Sequence, residues 1–322
     1  LGPLGVFPGG DVAVAGGVYG TGSFGPIQVS VDGLLVARCS GADGQPRWLQ
    51  SWPAPQGALP SVVLTDPLGD IVVAGAYAGP ADFGGGPMPQ EPGWTAFLAR
   101  YGGIDGSHRW SLATPAAEPH VQGAFDREGS IVAAGQFFGG SDEHAYVTRL
   151  AWNDGAVLWR REFRANNWDL LPSVATGTGV EIVLAGALQA GTDFGGGPMS
   201  AGAFVLAWYA RDGAFLRARM FERAAQAQGR IAVDPHGDIV IAGWFGGWFG
   251  GTIDFGTGQL TVEGESWTYD AFVAKFSGVD GNALWSRQLV DISLANLAID
   301  QRCSILTAGY SPVGVLVSKL AP

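Results

Sequence analysis

The chain has only two cysteines, three methionines and four histidines in 322 residues. Two cysteines, Cys39 and Cys303, are too few for a disulfide scaffold and lack the short spacing of a thiolate metal site. The histidines, His108, His120, His144 and His236, form neither an HxH nor an HExxH pattern, so neither a metal site nor a cofactor is expected. Charged residues are sparse at 15%, the net charge is −11 and the 18 Lys and Arg are scattered. Nucleic acid is therefore not an expected partner, because phosphate binding needs clustered positive charge. No apolar run approaches the ~20 residues of a membrane span. The chain starts at Leu1 without a visible export signal, as in a mature product from which a signal has been removed. The 52 glycines follow no three-residue period and 47% of the residues are hydrophobic, which excludes collagen-like and disordered classes.

What is abundant is repetition. DVAVAG at Asp11–Gly16, DIVVAG at Asp70–Gly75, SIVAAG at Ser130–Gly135, EIVLAG at Glu181–Gly186, DIVIAG at Asp238–Gly243 and SILTAG at Ser304–Gly309 are copies of one strand. A period of roughly 50 to 65 residues marks a blade-repeat or solenoid architecture, whose units bury apolar faces against their neighbours. The units run approximately 1–57, 58–117, 118–169, 170–226, 227–291 and 292–322, and are read as one domain over 1–322. Within the second, PSVVLTDPLGD, IVVAGAYAG, AFLARY and HRWSLA spell a four-stranded antiparallel meander. Asp-Gly pairs at 43–44, 105–106, 154–155, 212–213 and 280–281 predict tight hairpins between third and fourth strands. The expected fold is an all-β, six-bladed β-propeller of four-stranded blades. The last unit supplies three strands and ends at Pro322, so its blade is expected to be incomplete or completed by another strand.

Four residues after the turn glycine stands Trp48, Trp110, Trp159 or Trp285, with Arg217 as the exception, which predicts aromatic packing between adjacent sheets. The third strand carries Arg38, Arg100, Arg149, Lys275 and Lys319, with Ala207 read in the same place in unit four. Each base is expected to pair with a carboxylate of its own or the next blade, rather than to form a ligand-binding crown. The Ala-Gly of the second strand predicts a backbone approaching closely.

These phrases, with ADFGGGPM around Asp82–Met88, TDFGGGPM around Asp193–Met199, the variant IDFGTGQL and the strand DAFVAKF, resemble the SBBP repeats of secreted bacterial β-propellers, abundant in myxobacteria. The resemblance covers nearly the whole chain. It implies a propeller with an extracellular or cell-surface address, and no shared catalytic residue or ligand. The DFG string lacks the companion loops of a kinase and is read as an aspartate capping a glycine-rich turn beside a buried phenylalanine.

Cys39 ends a third strand of unit one, and Cys303 sits in the first turn of unit six. In an up-down meander those places share a face, which makes the pair a candidate disulfide latch between terminal blades. Candidate ligand-binding residues are the aromatics of glycine-rich loops where the repeat departs from itself: Trp94; Phe137 and Phe138; Trp244, Trp248 and Phe249; Trp267 and Tyr269. Aromatic faces there would stack on a sugar or anchor a protein. No spacing selects a catalytic pair of carboxylates, and Asp142 and Glu143 are read as solvated loop charges. The expected function is a noncatalytic extracellular binding or structural module contacting proteins, glycans or copies of itself. The alternatives are a self-assembling filament subunit completed by strand donation and a propeller enzyme acting on polysaccharide.

Overall fold

Apolar residues alternating with small or polar ones, punctuated by Asp-Gly and Gly-Asp turns, form strands that pair with their neighbours in the chain. The computed structural model describes residues 3–321 apart from 67, 91, 115–120, 140–141, 166–172, 178–180, 189, 200–202, 223–225, 248–250, 264–267 and 312–313. Among the described residues every regular element is a strand, and no helix is long and apolar enough to cross a membrane.

Five four-stranded antiparallel sheets and one of three strands follow each other along the chain as a six-bladed β-propeller. Blade one is Leu4–Val6, Val12–Val18, Gly33–Cys39 and Pro46–Pro53; blade two is Ala58–Thr65, Ile71–Ala78, Trp94–Tyr101 and His108–Thr114. Blade three comprises Val121–Phe125, Ile131–Gly139, Asp142–Leu150 and Val157–Ala165. Blade four comprises Ser173–Thr176, Ile182–Leu188, Ala203–Tyr209 and Phe215–Glu222. Blade five is Gln226–Val233, Ile239–Gly247, Thr268–Phe276 and Ala283–Leu289. Blade six has the three strands expected of it, Ser293–Ile299, Ile305–Ser311 and Gly314–Leu320. Blades one and five each carry a small hairpin between second and third strands, Thr21–Phe24 with Ile27–Ser30 and Gly251–Asp254 with Gln259–Val262.

The chain divides into two compact units, 1–141 with 149–158 and 142–148 with 159–322. In the first, the opening strand of blade two lies against the first three strands of blade one, and that of blade three against the first two of blade two. The second repeats the plan: the opening strand of blade five meets the first two strands of blade four, and that of blade six the first three of blade five. The Ala-Gly glycine of blades two, five and six accommodates the close approach anticipated for it, whereas Gly16 of blade one has open space. A Cβ on Gly75 would lie 2.3 Å from Leu59 O, and one on Gly243 1.8 Å from Gln228 O, both carbonyls of the blade's own first strand.

The DFG turns are structural. Asp82 Oδ1 accepts hydrogen bonds from the amides of Gly84 and Gly86 while Phe83 is fully buried. Asp193 with Phe194 and Asp254 with Phe255 repeat the arrangement. A short polar side chain satisfying turn amides, with an aromatic anchor beside it, needs no catalytic explanation.

Candidate functional site

Each blade has a turn end, where first meets second strand and third meets fourth, and a loop end, where second meets third. At the turn end the recurring bases pair with acids of their own blade's first turn. Arg38 meets Asp11 at 2.8 Å, Arg100 meets Asp70 at 2.8 Å and Asp66 at 3.3 Å, and Arg149 meets Asp126 at 2.7 Å. Lys275 meets Asp234 at 2.9 Å and Asp238 at 3.4 Å, and Lys319 meets Asp300 at 2.8 Å. The same acids cap the turn, as when Asp234 Oδ1 accepts from the amides of His236 and Asp238.

The recurring tryptophan reaches forward to the following blade. Trp48 Nε1 donates to Gly103 O at 2.8 Å, Trp110 Nε1 to Trp152 O at 2.9 Å and Trp159 Nε1 to Arg211 O at 2.6 Å. Arg38 and Arg100 donate to the same carbonyls as their neighbouring tryptophans, so two donors from one blade converge on one acceptor of the next. The indole rings cover the turn glycine of the next blade: a Cβ on Gly106 would sit 2.8 Å from Trp48, and one on Gly213 2.8 Å from Trp159. This is the inter-sheet aromatic packing the repeat implies, with a hydrogen bond added.

Blade four breaks the pattern. The strand register opposes Trp208 to Val183 and Arg217, as Arg100 is opposed to Val72 and Trp110, so the position of the recurring base belongs to Trp208 and not to Ala207. The turn between Tyr209 and Asp212 is one residue shorter than that between Tyr101 and Asp105, which displaces a count made along the sequence. Base and ring have exchanged strands. Arg217 forms a bidentate pair with Glu181, both contacts at 2.9 Å, and reaches Gly278 O of blade five at 3.4 Å, while a Cβ on Gly281 would lie 2.5 Å from the Trp208 ring. Both seam functions survive the exchange, but the Trp208 Nε1, on a side chain 1% exposed, has no hydrogen-bond partner among the described residues.

A cavity of about 350 Å³ opens here, lined by Gly177, Glu181, Trp208, His236, Asp238 and Gly278, with apolar neighbours. Gly177 explains part of the space. Its amide bonds Glu181 O as the Asp234 amide bonds Asp238 O, so a glycine stands where blade five has a carboxylate. Trp208 thus both lines the cavity and carries a buried indole N–H without a hydrogen-bond partner among the described residues.

His236 also belongs to a second grouping. Its Nδ1 lies 3.1 Å from Cys303 Sγ, and one donor atom from each of Asp234, His236 and Cys303 falls within 4.8 Å of the others. Cys303 and Asp234 are buried, whereas His236 is exposed. Burial alone would raise the Asp234 carboxyl, but the Lys275 ammonium and the amides of Asp238 and His236 outweigh it and hold that group below the usual carboxylate range. The spacing of 67 residues between His236 and Cys303 concealed the grouping in the sequence. Its one legible signal is that Cys303 stands where other first turns carry Gly10, Gly69, Gly129 and Gly237. Cys39 and Cys303 are both buried free thiols.

At the loop end, Trp244 and Tyr269 form an edge-to-face pair with centroids 4.9 Å apart, both partly buried. The intervening Phe245 points into the core and is fully buried. Trp94 is also partly buried; its ring lies 3.3 Å, and the hydroxyl of exposed Tyr19 2.7 Å, from where a Cβ on Gly57 would sit. The side chains of Phe137, Phe138, Asp142 and Glu143, and all of Trp248, Phe249 and Trp267, lie outside the described residues.

No family model matches the chain, and no curated protein matches it. Among solved structures it is similar to the Dos1 propeller, with 9% identity over 98% of this chain and 72% of that one at a TM-score of 0.49. It is also similar to the C-terminal WD40 domain of Sif2, with 11% identity over 99% of this chain and 81% of that one at 0.48. A third is the polysaccharide lyase Uly1, with 10% identity over 99% of this chain and 89% of that one, also at 0.48.

Proposed function

We propose that this chain is a noncatalytic binding module that acts outside the cell and engages a protein or glycan through aromatic side chains at the loop ends of its blades. The observation that carries the reading is the Trp244–Tyr269 pair, partly buried at the loop end of blade five. A ring fixed edge-to-face by its neighbour loses little freedom on binding, and its remaining face gains from desolvation against a sugar or an apolar side chain. The acids support the noncatalytic part. Asp66, Asp126, Asp234 and Asp300, the acids that recur with the repeat, cap turns and pair with Arg or Lys of their own blades, which gives these four a structural role.

The test compares the native chain with W244A/Y269A on an array of bacterial and plant polysaccharides and on immobilised extracellular proteins. At least tenfold weaker binding by the variant at a Tm within a few degrees of native supports the reading. Equal binding by both proteins, or release of reducing ends from any polysaccharide on the array, contradicts it.

The self-assembly reading draws on blade six, whose sheet has three strands and whose last strand exposes Val315 and Val317 at 76% and 71%. An open strand edge is a template for another chain. Sedimentation that shifts with concentration in the native chain, and not in V317K, would favour it; a concentration-independent monomer would remove it.

A further inference from the structure

We propose that Asp234, His236 and Cys303 form a site for a divalent metal ion of the zinc type, which pins the first turn of blade six to the first turn of blade five. The donor set is mixed and soft: one thiol sulfur, one imidazole nitrogen and one carboxylate oxygen, all within 4.8 Å of each other. Thiolate and imidazole together favour zinc or cobalt over magnesium and calcium, which take oxygen ligands. Three protein ligands leave a fourth tetrahedral position for water.

The donor spacing is close to that of a tetrahedral site. Zn–S of ~2.3 Å and Zn–N of ~2.0 Å at a tetrahedral angle separate sulfur and nitrogen by about 3.5 Å. The present hydrogen-bonded separation is 3.1 Å, so the pair opens by roughly half an ångström on binding. The Asp234 carboxylate is held in place by the amides that Oδ1 accepts from, which leaves Oδ2 outside those turn bonds. That oxygen accepts no well-aligned hydrogen bond, although Lys275 Nζ lies 2.9 Å away as its ion-pair partner. Lys275 has a second carboxylate, Asp238, at 3.4 Å, and can shift its weight there when a metal takes Oδ2. The charges then close: two aspartates and a thiolate offset one ammonium and one dication. Binding releases the Cys303 thiol proton to water as the sulfur–metal bond forms. Exposed His236 provides the route of entry to the two buried ligands.

Cys303 stands in a left-handed conformation, φ 61°, at a turn position where Gly10, Gly69, Gly129 and Gly237 have φ between 80° and 94°. A side chain is disfavoured there, and a repeat that uses glycine in four other blades has accepted the strain for a thiol. The same fact supplies a variant that folds, because C303G restores the residue the turn prefers.

The experiment titrates chelator-treated native chain, C303G and H236A with Co²⁺ and then Zn²⁺. The native chain is expected to take one Co²⁺ with a thiolate-to-cobalt charge-transfer band and the intense visible bands of tetrahedral cobalt, all displaced by Zn²⁺. C303G should lose the charge-transfer band and bind at least 100-fold more weakly, and H236A at least tenfold. Zn²⁺ should raise the Tm of the native chain and leave that of C303G unmoved. A native Co²⁺ spectrum without thiolate charge transfer, an equal Zn²⁺ shift in C303G, or a Cys39–Cys303 disulfide found by mass in the purified chain would each overturn the site.

Discussion

Arg217 and Trp208 face each other across the third and fourth strands of blade four, the guanidinium carbon 4.6 Å from the ring centroid, in the reverse order of Arg100 and Trp110 in blade two. Reversal preserves what the seam needs. A ring still covers the next blade's turn glycine, a cation still reaches its carbonyl, and Glu181 still neutralises that cation. A repeat conserves interactions before it conserves residues, because each blade is stabilised only by its neighbours. What the exchange leaves over is an indole N–H without an acceptor among the described residues, on a ring that lines the cavity between blades four and five.

The hydrogen bond from the recurring tryptophan is separable from its ring. Trp110 is 7% exposed and donates to Trp152 O. W110F keeps most of the apolar contact and removes the donor, so it should cost about 1 kcal/mol in urea unfolding. W110A also empties the seam and should cost about 3–5 kcal/mol. Equal losses for the two would mean that the hydrogen bond, and not the ring, holds the blades.

The turn glycines are constrained twice, by conformation and by the ring they face. Gly281 has φ 71°, and a Cβ there would lie 2.5 Å from Trp208. G281A should destabilise by about 2–4 kcal/mol, more than the ~1 kcal/mol expected at a turn glycine with open space, such as Gly44. Equal effects of G281A and G44A on the urea midpoint would show that the close approach is immaterial.

Acid should weaken the fold through its capping aspartates. The Arg47 guanidinium, aided by the Gly41 amide and Arg38, lowers Asp11 from 3.8 to about 2. Lys319 and the Ser304 and Arg302 amides hold Asp300 well below the usual carboxylate range, and Asp234 is also lowered. Groups depressed in the folded state bind more protons when unfolded, so their contribution is present above the ordinary carboxylate pKa and is lost as pH falls through the folded values. The urea midpoint should hold steady down to about pH 4 and then fall steeply toward pH 2. The slope should flatten in D11N and D300N; an unchanged slope in both variants would remove these residues as its cause.

Much of this was legible in the chain itself. Six Ala-Gly strands and five Asp-Gly turns announced the meander, because a structural demand repeated in every blade leaves the same letters each time. The pairing of Arg38, Arg100, Arg149, Lys275 and Lys319 with acids followed from the same logic. What stayed hidden arises where one blade differs from the rest. Trp208 was obscured by a turn shortened by one residue, which shifts any count along the strand while hydrogen bonding keeps the register. The cavity depends on Gly177 lacking the carboxylate of its counterparts, an absence that only spatial neighbours make meaningful. Cys303 and His236 sit in equivalent turns of adjacent blades, so proximity between them belongs to the packing of the blades and has no sequence spacing.

The architecture depends on the recurring bases, rings and acids being consumed by the seams between blades, and a double-mutant cycle at Trp208 and Arg217 tests that most directly. W208R places a second guanidinium beside Arg217 with only Glu181 to share, and R217W strands Glu181 between two rings; each should lose about 2–4 kcal/mol in urea unfolding. W208R/R217W recreates the order of Arg100 and Trp110 and should return to within about 1 kcal/mol of the native chain. Losses that simply add in the double variant would contradict the seam, and with it the assignment of these residues to structure.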